Sequence, residues 1–195
     1  MQNNPYHHGD LKQNLITQGL ALMNRDGIEG FSIRKVADLC GVSHAAPYRH
    51  FKNKDELIHE IGQSVWTSFS SALSKAVEEH PDDPTAQIVE MGVRYVRFLV
   101  EHPEYRFFIF SSDQAVPIDV DPSSIDSKVA AFNVFRRSAV NYLTAASIEE
   151  SLHIEKTILM WSTVHGMALL IANKNLVYDG DYLTWVESML HLYLT

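Results

Sequence analysis

The chain has 195 residues, 46% hydrophobic and 21% charged, with nine Gly, seven Pro and one Cys. That balance excludes disordered and collagen-like chains and allows a sizeable core in one or two domains. Cys40 is alone and cannot form an internal disulfide, and residues 1–10 are polar without an apolar signal core, so a cytoplasmic location is expected.

The net charge of −8 is unevenly spread: residues 1–60 hold seven Lys/Arg against seven Asp/Glu, and residues 61–195 hold nine against seventeen. Exposed charges are largely screened beyond about 10 Å at ~0.1 M salt, so a local basic face can still bind a polyanion. DNA is not excluded, although non-specific, charge-driven binding is disfavoured.

Helical periodicity runs through almost the whole chain, and strand-like alternation is missing. Leu11, Leu15, Ile16, Gly19, Leu22 and Met23 form one apolar face over residues 10–25, and Asp26-Gly27 supplies the stop. Ser32 caps a short helix with Ile33, Val36, Ala37 and Cys40 inward, Gly41-Val42 breaks it, and Ser43 starts another short helix to about His50. Asn53 and Glu56 read as a capping box opening a helix of roughly 27 residues, which ends before Pro81. Asp83-Pro84 restarts a helix, His102-Pro103 breaks it before an aromatic segment at 105–110, and residues 111–124 read as a surface loop. Helices over 125–143, 149–172 and 181–194 complete an all-α chain of about nine helices.

Residues 157–173 carry no charge, but Ser162, Thr163, His165, Gly166 and Asn173 make a poor membrane span. A helix buried in the protein or at a subunit interface is expected there.

Residues 32–51 carry the chemistry. Two short helices joined by a three-residue turn containing Gly form the helix-turn-helix pattern. Ala37 is small at the helix crossing, Gly41 permits the turn, and Val36 and Val42 bury the pair against the first helix. Ser43 leaves backbone N–H groups and a positive dipole end for phosphate or base edges. His44, Ala45, Ala46, Tyr48 and Arg49 then face outward; short residues let the segment enter a major groove, and Arg pairs bidentately with guanine. Tyr48, Lys54 and the helix start at Ser32, Arg34 and Lys35 are placed for phosphate contacts. Singly these residues say little: Ser43 alone is a cap, Arg49 alone a solvated charge, and His50 beside Phe51 fits either DNA contact or packing.

As a set, Phe31-Ser32-Ile33-Arg34, Val36-Ala37, Gly41-Val42-Ser43, Tyr48-Arg49-His50-Phe51 and Lys52-Asn53-Lys54-Asp55-Glu56-Leu57 resemble the DNA-binding domain of the tetracycline-repressor (TetR) family. The resemblance covers residues 10–57. Trp161-Ser-Thr-Val-His165-Gly166 is similar to a Trp-x-x-x-His-Gly signature of one subgroup, and an opening similar to Tyr6-His7-His8-Gly9-Asp10-Leu11 also occurs in that subgroup. Ala45-Ala46-Pro47 departs from the family pattern, so base readout does not carry over; with Pro47 in its first turn, the second helix is expected to survive.

The resemblance implies a one-component regulator, most often a repressor. Residues 1–52 would bind a palindromic operator on double-stranded DNA, and residues 53–195 would form a homodimer and sense a small-molecule effector. The effector is expected to be largely apolar and neutral, because few charges fall on the presumed pocket faces. A ligand-independent dimeric adaptor controlled by a protein partner is the alternative. Phe98, Phe107, Phe132, Phe135 and Trp161 fit an effector pocket or a plain helical core. His165, one turn after Trp161, fits a hydrogen bond to effector or to a neighbouring helix. The sequence contains no Gly-rich phosphate loop, no metal-ligand spacing and no catalytic dyad, so neither an enzyme nor a cofactor or metal is expected.

Overall fold

The computed structural model describes residues 8–110 and 130–194. They divide into two compact units, parted between Val65 and Trp66. The predicted loop at 111–124 and the first five residues of the predicted 125–143 helix lie outside the described residues. Eight α-helices are present among the described residues, against the nine expected.

The first unit contains α1 (His8–Gly30), α2 (Ile33–Leu39) and the start of α3 (Lys54–Glu79). Leu11, Leu15, Ile16, Leu22 and Met23 are buried on α1, as their spacing predicts. The predicted stop at Gly27 is a kink (φ 71°, ψ 178°), after which one further turn carries α1 to Gly30. A side chain lacking Cβ is the one that tolerates that backbone. Gly19 is needed for space instead: a Cβ there would stand 2.7 Å from the Ile61 Cδ1 of α3. Leu57, Ile58, Ile61 and Val65 form the buried stripe of α3 in this unit.

The capping box at the start of α3 is present in altered form. Asn53 Oδ1 accepts from the Glu56 backbone N–H at 2.9 Å, but the Glu56 carboxylate reaches past Asn53 to the Lys52 N–H.

The second short helix of the motif differs from expectation. Residues 44–46 form a turn, followed by a 3₁₀ turn at Pro47–Arg49. Proline lacks the N–H that would bond to the Ser43 carbonyl four residues back. That carbonyl accepts from Ala46 instead (2.9 Å), and i→i+3 bonds continue from Arg49 to Ala46 and from His50 to Pro47. Pro47 is buried, so its ring also fixes the segment by packing.

In the second unit, α4 (Pro84–Glu101) packs against α6 (Ala130–Ala145), α7 (His153–Ala172) and α8 (Tyr182–Leu194). Asp83 caps α4 through the Ala86 N–H at 2.9 Å. Burial on α4 extends well beyond one stripe, taking in Ile88, Met91, Tyr95, Val96 and Leu99. Gly92 lets the helices close up: an added Cβ would lie 2.6 Å from Leu190 Cδ1 and 3.3 Å from Val164 Cγ1. The aromatic segment after His102-Pro103 is a 3₁₀ turn and the short α5 (Arg106–Phe110). A second 3₁₀ turn, Glu150–Leu152, precedes α7 and accounts for the later start of that helix. No helix among the described residues is long and apolar enough to cross a membrane.

Candidate functional site

Arg34, Ser43, His44, Ala45, Tyr48 and Arg49 are exposed, Ser32 and Ala46 are half-buried, and Tyr48 retains 52% of its surface. They are held by a buried frame of Ile33, Val36, Ala37, Pro47 and Phe51. Val42 is half-buried, and Gly41 turns the chain at φ 66°. Ser32 caps α2, its Oγ accepting from the Lys35 N–H at 3.2 Å.

Two residues expected at phosphates are held by the protein. Lys35 Nζ donates to Gly30 O (2.8 Å) and pairs with Asp26 Oδ2 (3.3 Å), while Lys54 Nζ donates to Ile28 O (3.1 Å) above the Phe31 ring. Both cations thereby sit at the carbonyl-rich end of α1, where the dipole favours positive charge. The hydrogen bond from Arg25, aided by Lys35, holds the Asp26 carboxyl at about 2. His44 Nε2 lies 2.8 Å from Asp38 Oδ1, which fixes the imidazole at the edge of the exposed segment. His50 is half-buried against Phe51, and its Nε2 has no hydrogen-bond partner.

The effector candidates do not form one wall. Trp161 is buried edge-on against Tyr95 (5.0 Å), Phe132 (5.3 Å) and Phe135 (5.1 Å). Phe98 joins this cluster through Phe69, at 5.0 Å, and stacks on Tyr105 at 5.3 Å. Phe107 is half-buried, with its ring against Phe108.

His165 bonds to a neighbouring helix: Tyr95 Oη lies 2.6 Å from its Nδ1. Burial pushes the Tyr95 phenol far above its ordinary value and the His165 imidazole below its own. The phenol therefore keeps its proton and donates, and the neutral imidazole carries its proton on Nε2. The ring of Phe110 packs 4.8 Å from His165.

A cavity of about 800 Å³ lies between α6 and α7, and of the six sequence candidates only Phe132 lines it. It carries two arginines, Arg136 and Arg137, which were not among the sequence candidates. Arg106, which does not line the cavity, likewise had no sequence signal. Its guanidinium donates to Leu99 O (2.8 Å) and Val100 O (3.1 Å) at the end of α4, and to Ala172 O (3.0 Å) at the end of α7. No group of three or more His, Cys, Asp or Glu among the described residues could hold a metal ion.

An all-helical chain with an exposed turn-helix element after a capped short helix belongs to the helix-turn-helix class. Residues 15–61 match the model of the bacterial regulatory proteins of the tetR family, and residues 88–193 match that of the tetracyclin repressor-like C-terminal domain. The chain belongs to the TetR family.

An uncharacterized HTH-type transcriptional regulator of Haemophilus influenzae is 33% identical over 70 residues, 36% of this chain and 37% of that protein. The chain spans between about a quarter and a half of the curated relatives it matches. A Rhodococcus sp. RHA1 protein of unknown function superposes with a TM-score of 0.78 at 27% identity, covering 98% of this chain and 97% of that one. A TetR-family transcriptional regulator from H. influenzae shares the fold, with a TM-score of 0.69 at 20% identity over 93% of this chain and 94% of its own.

Proposed function

We propose that this chain is a one-component transcription regulator, a repressor that a small-molecule effector releases from a palindromic operator. The observation that carries this reading is the exposed stretch Ser43–Arg49, held on a buried frame beside the capped start of α2. Ser43, His44, Ala45, Ala46 and Arg49 are the base-reading candidates. Tyr48, Arg34 and the Ser32 helix start are the phosphate candidates. Lys35 and Lys54 contribute positive charge from the end of α1, to which their ammonium groups are bonded.

The functional unit is a homodimer, supported by the outer faces of α7 and α8. Leu159 (58% exposed), Leu170 (44%) and Leu192 (78%) would be covered by a second copy, and Gly166 has open space where a partner helix can approach. Two-fold symmetry then presents two reading segments about 34–36 Å apart, one helical turn of DNA. Residues 1–52 serve as the DNA-binding domain and residues 53–195 as the dimerisation and effector domain.

The packing of Trp161 and His165 on Tyr95 supports membership of the Trp-x-x-x-His-Gly subgroup. A bonded His165 and a buried Trp161 equally favour a second reading of that cluster as core, with regulation through a protein partner. Selection of bound fragments from genomic DNA tests the proposal. Arg49→Ala should relax discrimination at one base pair per half-site, at a cost of about 1–3 kcal/mol, while Tyr48→Ala weakens all sequences alike. Retention of the full base preference in Arg49→Ala would make that residue a backbone contact.

A further inference from the structure

We propose that the cavity between α6 and α7 is the effector site and takes a small organic monoanion, a carboxylate carried on an apolar body. This rests on the reading of the chain as an effector-responsive regulator and names the ligand chemistry. A volume of about 800 Å³, partly open to solvent, falls in the size range of small-molecule clefts.

Helical spacing builds the two walls. Phe132, Arg136 and Val140 follow one another at four-residue steps on α6, and Ile154 and Ile158 do so on α7. The apolar residues suit a hydrocarbon body. Arg136 and Arg137 suit a carboxylate, because a guanidinium offers five N–H donors in a planar fork and can accept such a ligand beside another partner.

The remaining polar lining agrees in sign. Among the described residues that line it, Glu150 is the one carboxylate, and Arg136 and Arg137, which also have partners of their own, are the two guanidiniums. His153 Nε2 donates to Ile148 O at 3.0 Å, which fixes its tautomer and uses that N–H inside the protein. Thr157, only 2% exposed, lines the cavity with its hydroxyl left without a hydrogen-bond partner. A buried hydroxyl is normally paired, so this one marks a position where a ligand oxygen would complete the bonding.

Isothermal titration of the full chain with decanoate, and with 1-decanol as the uncharged counterpart, tests the proposal. Decanoate should bind saturably and at least tenfold more tightly than decanol. Arg136→Met combined with Arg137→Met should lower decanoate affinity at least tenfold and leave decanol unchanged. Thr157→Val should weaken decanoate severalfold without lowering the melting temperature. Absence of saturable heat up to about 1 mM decanoate, or equal binding of the acid and the alcohol, overturns the proposal even if the variants fail to fold. In a parallel capture of genomic DNA fragments, decanoate should release the bound DNA, and DNA that stays bound overturns the effector assignment. Failure to capture any DNA refutes the regulator reading instead, and the calorimetry then judges the cavity by itself.

Discussion

Arg106 joins the ends of two helices that the chain separates by some 70 residues, and its removal gives the most direct test of how the second unit holds together. Its guanidinium makes three hydrogen bonds, to Leu99 O and Val100 O at the end of α4 and to Ala172 O at the end of α7. Hydrogen bonds from charged donors contribute about 1.5–3 kcal/mol each when buried. The residue is half-buried, and water can re-solvate part of what is exposed, so about 1 kcal/mol per bond is the appropriate scale. Arg106→Ala should therefore lose about 3 kcal/mol, a melting-temperature drop of about 6–12 °C for a chain of this size. Arg106→Lys keeps the charge but loses the fork, and should recover only about one of the three bonds. Differential scanning calorimetry of the three proteins measures both effects. A loss below about 1 kcal/mol for alanine, or full recovery by lysine, would show that the geometry does not hold the helix ends together.

Tyr95→Phe keeps the ring among Phe69 and Trp161 but deprives His165 Nδ1 of its donor; a loss of about 1–2 kcal/mol in thermal or urea unfolding is expected. His165 also gives a pH signature. Burial lowers its folded pKa below the ordinary imidazole value of 6.5, so as pH falls through 6.5 the unfolded chain takes up a proton that the folded chain does not. Stability should fall there until the folded value is reached, and the fall should be smaller in His165→Gln, as melting curves between about pH 7.5 and 5 would record. Gly27→Ala meets nothing within 4 Å but must adopt φ 71° and ψ 178°, at a cost of about 1–3 kcal/mol in unfolding experiments.

Helix identity was legible because its cause is local. The 3–4-residue spacing of Leu11, Leu15 and Leu22, the caps at Ser32 and Asp83 and the breaker at Gly27 each act within a turn or two. The turn at Gly41 and the exposure of Tyr48 and Arg49 were legible for the same reason. The 3₁₀ form of the second motif helix was not legible, because its cause is a single missing bond, the one Pro47 cannot make. In so short an element that bond decides between α and 3₁₀ geometry. The positions of Lys35 and Lys54 depend on where the carbonyls of residues 28 and 30 end up. The Ala172 partner of Arg106, the Tyr95 partner of His165 and the α6–α7 cavity need residues brought together from up to 70 positions apart, and no periodicity encodes them.

The central place of α4 has a consequence for how the protein is made. Its packing partners α6, α7 and α8 all follow it along the chain, and the pocket left by Gly92 is filled by Leu190, 98 residues downstream. At synthesis rates of about 5–20 residues per second, a ribosome needs roughly 5–20 s to travel that distance. Until then the side of α4 around Gly92 lacks the Leu190 side chain that covers it. The exposed segment at residues 43–49 and its frame come off the ribosome well before α8. The nascent chain thus holds the whole of the first unit before the second can close.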